Sequence, residues 1–260
     1  MSAKVRKAMI MAAGSGTRFH PITKAVPKEM LPVIDKPILH YVVEDILASG
    51  ICEIIIVTTA FKEPLIKQYF ELHPGLGAEI TFVHQNGHYG TATPVANVEH
   101  LMNKEPFALL CGDEIFAGDR PRVRQLMDVY ERYQGPVFGV IQVDDEGANK
   151  YGIVEPISEL KPGIFQINNL IEKPGPENTS SRLAALGAYI LTPEIYDHLP
   201  LVLPSPRGEL ELTDAMKMLM QKQPHYAVRF SGQIFDTGTK ESWLNTNIEF
   251  ARKRDDINFN

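Results

Sequence analysis

Apolar runs and amphipathic stretches alternate through the first half of the chain. Residues 7–13 and 53–59 are apolar or β-branched almost throughout, a pattern that predicts buried strands. Residues 37–49 carry pairs of apolar positions at helical spacing and end at Gly50, which predicts a helix. The same patterns continue along this half, with strands predicted at 79–85, 106–114 and 136–143 and helices at 63–72, 93–103 and 120–133.

The second half of the chain is less regular. No repeat, low-complexity tract or long linker separates it from the first half, so we predict one α/β domain over residues 1–260. Buried strands separated by helices are typical of a mainly parallel sheet covered by helices on both faces. In this half the pattern predicts strands at 151–156, 165–173, 183–191 and 226–236 and helices at 211–223 and 241–254.

Charge and composition exclude several classes of protein. The chain has 260 residues with 26 Lys+Arg against 32 Asp+Glu, a net charge of −6, which disfavours a nucleic-acid binder. Cys52 and Cys111 lie far apart, so neither a disulfide scaffold nor a thiolate zinc site is expected, and both thiols are predicted to lie reduced inside the core. No apolar stretch approaches the roughly 18 residues of a membrane span, and the first residues lack a signal-peptide pattern. We expect a cytoplasmic protein that binds no membrane.

The first predicted strand runs into a glycine loop. Gly14 and Gly16 are followed by Arg18. Two close glycines let backbone N–H groups approach a phosphate, and an arginine offers a fork of donors that matches phosphate geometry. The dinucleotide fingerprint would need a third glycine where this chain has Phe19, and the P-loop pattern is missing. The loop alone fits either a phosphate site or a plain β-turn.

Two lysines follow the loop in a proline-rich segment. Lys24 and Lys28 lie within residues 21–32, which contain three prolines and are predicted to be extended. Together with Arg18 they place a cluster of cations next to the glycine loop in an acidic chain. The cluster indicates a site for several phosphates, and its alternative is a solvated charged loop.

The long motif around this loop resembles a known family. Residues 12–37, AAGSGTRFHPITKAVPKEMLPVIDKP, resemble the signature of the sugar-1-phosphate nucleotidyltransferases, and most of all their uridylyl branch. The resemblance implies a Rossmann-like fold of the nucleotide-diphospho-sugar transferase type, with a nucleotide-binding half at about 1–143 and a sugar-binding half at about 144–260. It implies that UTP and glucose 1-phosphate react with the help of Mg²⁺ to give UDP-glucose and pyrophosphate. In the resemblance, Arg18 and Lys28 contact the reacting phosphates, and the other residues of the phosphate loop are Ala13, Gly14, Ser15, Gly16 and Thr17.

A second loop is expected to bind the base. Gln85 ends a predicted strand, and its amide offers a donor and an acceptor to the edge of a pyrimidine. Gly90 would admit the flat base closely, and Thr91 follows it. In the resemblance, Lys24 and Glu29 favour the uridylyl branch, because thymidylyl relatives usually carry other residues there. However, that branch usually carries Leu-Gly-His where this chain has residues 91–93, so dTTP stays the alternative nucleotide.

Two aspartates are candidate metal ligands. Asp113 and Asp236 each stand at the carboxyl end of a predicted strand, the edge at which open α/β sheets bind ligands. Mg²⁺ takes one or two carboxylates together with phosphate oxygens. Each aspartate alone is also typical of an ordinary turn. The resemblance assigns the Mg²⁺ to this pair and makes Asp113 catalytic as well.

The predicted sugar site lies mostly in the second half. By resemblance, the carboxylate of Glu172 binds sugar hydroxyls and the ammonium of Lys173 binds the sugar's phosphate, although these two residues alone would predict only an exposed salt-bridged turn. Glu209, Glu211 and Asp214 are interpreted as charges and caps at a helix N-terminus. Close-approach glycines complete the predicted sugar-phosphate site, namely Gly112, Gly152 and Gly187.

Several alternatives stay open from the sequence. The chain could use another hexose 1-phosphate, or bind a nucleotide sugar without turnover, whereas Phe19 disfavours an NAD-dependent oxidoreductase. The family forms assemblies of two or four chains, so a homodimer or homotetramer is expected. Its uridylyltransferases carry a longer helical insertion where this chain has only residues 71–79.

Overall fold

The computed structural model of the protein describes residues 4–258. The elements of the first half are β1 Lys7–Met11, β2 Pro32–Val33, β3 Lys36–Pro37, α1 Ile38–Ala48, β4 Glu53–Thr58, α2 Glu63–Glu71, β5 Glu79–His84, α3 Ala92–Asn97, β6 Phe107–Cys111, β7 Glu114–Ala117, α4 Arg122–Tyr133 and β8 Val137–Gln142. The second half adds α5 Asp145–Lys150, β9 Gly152–Lys161, β10 Ile164–Glu172, β11 Leu183–Leu191, α6 Leu212–Met220, β12 His225–Arg229, β13 Gln233–Asp236 and α7 Lys240–Arg252.

One mixed sheet joins strands from both halves, in the order β5-β4-β1-β6-β11-β8-β12-β10-β9. Strands β5, β4, β1 and β6 pair in parallel, as do β8 and β12. Strands β10 and β11 run antiparallel to their neighbours. The predicted Rossmann-like α/β fold with a mixed, mainly parallel sheet is therefore confirmed.

Helices cover both faces of this sheet. Alternate residues of a strand point to opposite faces. Ala8 and Ile10 of β1 pack into a core cluster with α1, α2 and α4, whereas Met9 packs on the other side with α3 and α6. Burial on both faces is the physical reason that the middle residues of β1, β4 and β6 are apolar at consecutive positions.

The predicted strand 226–236 is interrupted in the structure. β12 ends at Arg229 within the central sheet, and β13 leaves it to pair antiparallel with β7 in a separate two-stranded sheet. The register of that small sheet sets Asp236 opposite Glu114. The break therefore carries Asp236 to the end of β6, beside Asp113.

Two further predictions are wrong in detail. The proline segment is not extended throughout, because Ile22–Lys24 and Lys28–Met30 form 3₁₀ turns. Cys52 is exposed rather than inside the core, while Cys111 is half-buried. Within residues 4–258, no helix is both long enough and apolar enough to cross a bilayer.

Candidate active site

A cavity of about 330 Å³ opens where β1, β5 and β6 end. Both loops predicted to bind the nucleotide line it, as expected for ligand loops at the carboxyl edge of a parallel sheet. The predicted residues that the cavity brings together are Ala13, Gly14, Ser15, Gly16, Thr17, Arg18, Lys28, Gln85, Gly90, Thr91 and Asp113. Lys24, by contrast, is exposed and is not part of the lining.

Lys28, the second lysine of the proline-rich segment, faces Asp113. Lys28 Nζ donates a short hydrogen bond to Asp113 Oδ2. Burial alone would lower the pKa of Lys28, but the Asp113 and Glu29 carboxylates together outweigh it and raise that pKa. Lys28 therefore keeps its positive charge inside the cavity, 3.7 Å from where a Cβ on Gly14 would lie.

The two predicted metal ligands converge on one turn. Thr237 donates to the Asp113 backbone carbonyl through its N–H at 3.0 Å and its hydroxyl at 2.7 Å. The position of a Cβ on Gly238 lies 2.9 Å from Asp236 Oδ1 and 3.7 Å from Asp113 Oδ2. The two carboxylates thus flank the same small volume at the cavity wall.

The surroundings of this pair fit a hard divalent cation. Among residues 4–258 no cluster of three His, Cys, Asp or Glu ligands exists, so protein groups alone would not complete a coordination shell. Asp236 Oδ2 lies 3.5 Å from Lys150 Nζ, and Asp113 pairs with Lys28. Mg²⁺ suits such a site, because it binds through one or two carboxylates and takes its other ligands from phosphates and water.

A buried charge network lies directly behind Asp113, and the sequence analysis did not find it. Arg122 is fully buried; its Nε donates to Asp45 Oδ2 at 2.9 Å and its Nη2 to the Glu114 carbonyl at 3.0 Å. Burial raises the pKa of Glu114 to about 7. Glu114 Oε1 also accepts from Gly187 N at 3.1 Å. The network ties β7, the strand that follows Asp113, to α1 and α4.

Tyr151 links the residues predicted to bind the sugar to Asp236. Tyr151 donates from its hydroxyl to Asp236 Oδ2 at 3.4 Å, and its carbonyl accepts from Lys173 N at 3.2 Å. Gly152 pairs with Glu172 between β9 and β10. Glu172 and Lys173 form an ion pair of 3.6 Å and line a second hollow rather than the first cavity.

The two predicted sugar glycines near the cavity are tightly packed. A Cβ on Gly187 would overlap Cys111 Sγ, and Cys111 lines the cavity. Gly112 donates from its backbone N–H to the Met11 carbonyl at 3.0 Å. Burial raises the pKa of the Cys111 thiol, which keeps it protonated and unreactive.

A segment of the second half holds the predicted base loop. Leu210 donates to the Tyr89 carbonyl at 3.0 Å and accepts from Ala92 N at 2.9 Å. Gly90 has φ +144°, and a Cβ there would overlap the Leu210 backbone, so only glycine fits this approach. The Thr91 hydroxyl accepts from Leu212 N at 2.9 Å.

The interpretation of the acidic residues in this segment as helix N-terminal charges is confirmed for Asp214, which lies in the first turn of α6, but the capping part of it is wrong for Glu211. Glu211 stands at the N-cap of α6, but its side chain makes no cap bond. It accepts instead from Arg207 Nη2 at 2.7 Å. Glu209 lines the cavity. Only the fold brings these residues to the base loop, more than a hundred positions away, so no local signal could have indicated their roles.

Comparison with known proteins shows the family of this chain. The family model for nucleotidyl transferases matches residues 7–253. A UTP–glucose-1-phosphate uridylyltransferase of Bacillus subtilis is 39% identical over 269 residues, which cover 95% of this chain and 91% of the relative.

Two solved structures are similar along their whole length. A UDP-glucose pyrophosphorylase complexed with UDP-glucose has a TM-score of 0.90 at 31% identity, covering 96% of this chain and 100% of that one. The UTP-bound enzyme of Acinetobacter baumannii has a TM-score of 0.84 at 27% identity, covering 97% and 95%. With the family model matching almost the whole chain and a relative 39% identical over 95% of it, this protein belongs to the nucleotidyl transferase family.

Proposed function

We propose that this protein transfers the uridylyl group of UTP to glucose 1-phosphate, which gives UDP-glucose and pyrophosphate. The observation that carries the proposal is the cavity in which the glycine loop, Arg18 and Lys28 face the Asp113–Asp236 pair. The similarity of the chain to uridylyltransferases and UDP-glucose pyrophosphorylases supports the choice of both substrates. We assign nucleotide binding to residues 1–143 and sugar binding to residues 144–260.

The reaction needs no nucleophilic side chain. At neutral pH the sugar phosphate is largely a dianion, and one of its oxygens can attack the α-phosphorus of UTP directly. The new P–O bond forms as the bond from the α-phosphorus to the bridging oxygen breaks, and pyrophosphate carries the electron pair away. The protein contributes by aligning two anions and by neutralising their charge.

Each part of the cavity has a role in that alignment. The glycine loop and Arg18 bind the outer phosphates that leave as pyrophosphate, and Lys28 binds the α-phosphate. Asp113 and Asp236 would hold Mg²⁺, which, when bound, supplies charge neutralisation and orientation of the phosphates. Lys28 then exchanges its contact with Asp113 for one with the substrate. Gln85 reads the uracil edge across the space that Gly90 leaves open.

Pyrophosphate release tests the proposal. UTP, dTTP, ATP, CTP and GTP are each combined with Mg²⁺ and with glucose, galactose or N-acetylglucosamine 1-phosphate. We expect UTP with glucose 1-phosphate to give the highest kcat/KM. A preference for dTTP would contradict the uridylyl assignment, and release with none of the pairs would contradict the proposed reaction itself.

Lys173→Ala is expected to raise the KM for glucose 1-phosphate about tenfold or more, with the KM for UTP nearly unchanged. The reason is the loss of a charge-assisted hydrogen bond to the sugar's phosphate, worth about 1.5–3 kcal/mol. Initial rates at varied glucose 1-phosphate measure the effect. Lys161→Ala is the matched control, because Lys161 is exposed at the end of the neighbouring strand β9. An unchanged KM in Lys173→Ala would exclude a role for this lysine in binding the sugar phosphate.

The family also suggests an assembly of two or four chains, and we propose the same for this protein. The molar mass in solution, measured by light scattering, checks this proposal. A monomer at micromolar concentration would contradict it.

A further inference from the structure

Lys62 is a buried lysine that lies just before α2, beneath the glycine loop. Its ammonium donates to the Ala12 carbonyl at 2.9 Å, to the Gly14 carbonyl at 2.6 Å and to both carboxylate oxygens of Glu29 at 2.9 Å. Only 5% of the residue is exposed. A lysine has three donors, so all of them are used inside the protein and none is left for a ligand.

The two carbonyl contacts determine where the loop's N–H groups point. In a planar trans peptide the C=O and the next N–H point in opposite directions. Because Lys62 holds the carbonyls of Ala12 and Gly14 on its own side, the N–H groups of Ala13 and Ser15 point the other way. Ala13 and Ser15 both line the cavity.

These N–H groups are available to an anion. Among the hydrogen bonds of residues 4–258, none has a backbone N–H of residues 13–17 as its donor. Such a run of unpaired N–H groups around glycines forms an anion-binding concavity. Its shape depends on each peptide keeping its orientation, and glycines allow other orientations at low cost.

Through its ion pair with Glu29, Lys62 is also linked to residues on the other side of the cavity. Glu29 is fully buried and is the residue after Lys28, in the same 3₁₀ turn. Its Cγ lies 3.3 Å from where a Cβ on Gly112 would be, and Gly112 precedes Asp113. The Lys62–Glu29 pair therefore contacts the glycine loop, the Lys28 turn and the strand end that carries Asp113.

We infer that Lys62 is a positioning residue for the triphosphate, which aims the N–H groups of the glycine loop without touching the ligand. The inference rests on the proposed function for the identity of that ligand. It predicts that Lys62 affects the binding of a triphosphate and leaves the binding of the sugar phosphate unaffected.

A purely structural role makes a different prediction. Lys62 could serve only to neutralise the buried charge of Glu29, since a lone buried carboxylate is strongly destabilising. Removing both charges together would then restore normal stability and normal triphosphate binding, because a buried ion pair can often be replaced by neutral groups without loss of stability.

The experiment compares Lys62→Met with the double variant Lys62→Met/Glu29→Gln. Calorimetry measures the Kd for UTP and for inorganic tripolyphosphate, and chemical unfolding measures stability. We expect Lys62→Met to lose stability and the double variant to regain most of it. The double variant should still bind both triphosphates at least tenfold more weakly than the wild type, with its KM for glucose 1-phosphate within about twofold. Lys67→Met on α2 is the matched control, because Lys67 is exposed and, within residues 4–258, its one ion pair is with Glu71.

Each outcome decides between the hypotheses. A double variant that binds UTP and tripolyphosphate as tightly as the wild type would overturn the inference and leave charge neutralisation as the role of Lys62. A wild type that binds tripolyphosphate but releases no pyrophosphate would refute the proposed function, while weakened tripolyphosphate binding in the double variant would still support the positioning role. A wild type that binds neither probe would overturn both.

Discussion

Asp113→Asn and Asp236→Asn should each lower kcat with UTP and glucose 1-phosphate by about 10³-fold, on the order of 4 kcal/mol of transition-state stabilisation. An amide has the size of a carboxylate but lacks the charge that holds Mg²⁺ beside the phosphates. Pyrophosphate release at saturating substrates measures the loss. Thermal unfolding should show a folded protein in both cases, because neither side chain is part of the apolar core: Asp113 lines the cavity and Asp236 lies beside its lining residue Gly238.

The two variants differ in one informative way. Asp113 also pairs with Lys28, so Asp113→Asn alters a cation of the cavity as well as the metal pair. Asp236 forms no ion pair or hydrogen bond with Lys28 among the described residues, and its own partners Lys150 and Tyr151 do not line the cavity, so its loss tests the metal role more directly. Asp119→Asn is the control, because Asp119 is exposed just beyond β7. Near-normal turnover in Asp236→Asn would remove that residue from the proposed metal pair.

Arg122→Met is expected to lower the free energy of unfolding by about 3–5 kcal/mol. The substitution keeps much of the apolar volume but leaves Asp45 and Glu114 buried without their cation. Burial already raises the pKa of both carboxyls, and Arg122 opposes that rise. Urea unfolding followed by circular dichroism measures the change.

Arg124→Met gives the matched comparison on the same helix. Arg124 pairs with Asp128 and Glu131 at the surface of α4, where ion pairs contribute about 1 kcal/mol or less. A much larger loss of unfolding free energy in Arg122→Met than in Arg124→Met would show that burial, and not the number of ion pairs, determines that loss. A loss below about 1 kcal/mol in Arg122→Met would instead mean that the buried network contributes little to stability.

The base loop shows how a local pattern can be correct and still incomplete. Gln85 and Gly90 were predicted to contact a ligand, and both line the cavity. The Thr91 hydroxyl, however, accepts a hydrogen bond from Leu212 N, and the backbone of Leu210 packs against Gly90. Residues 91–93 differ from the Leu-Gly-His of the uridylyl branch, and part of that difference serves to anchor the loop to the second half of the chain.

The sequence by itself determined the α/β class, the glycine loop with Arg18 and Lys28, and Asp113. These features depend on short-range rules, namely the period of apolar residues, the freedom of glycine and the position of polar residues at strand ends. Each such residue could be singled out because the signal for it lies in the residues next to it along the chain, whereas its role came from the family resemblance and stays a prediction.

Only the tertiary structure decided how distant residues combine. The break after β12 brings Asp236 to Asp113, the start of α2 sets Lys62 beneath the glycine loop, and α4 buries Arg122 behind Glu114. A buried charge is tolerated only when its partner lies within hydrogen-bond distance. The packing of the chain determines which residue lies there. Lys62 and Arg122 resemble ordinary surface cations in the sequence, and their burial gives them their roles.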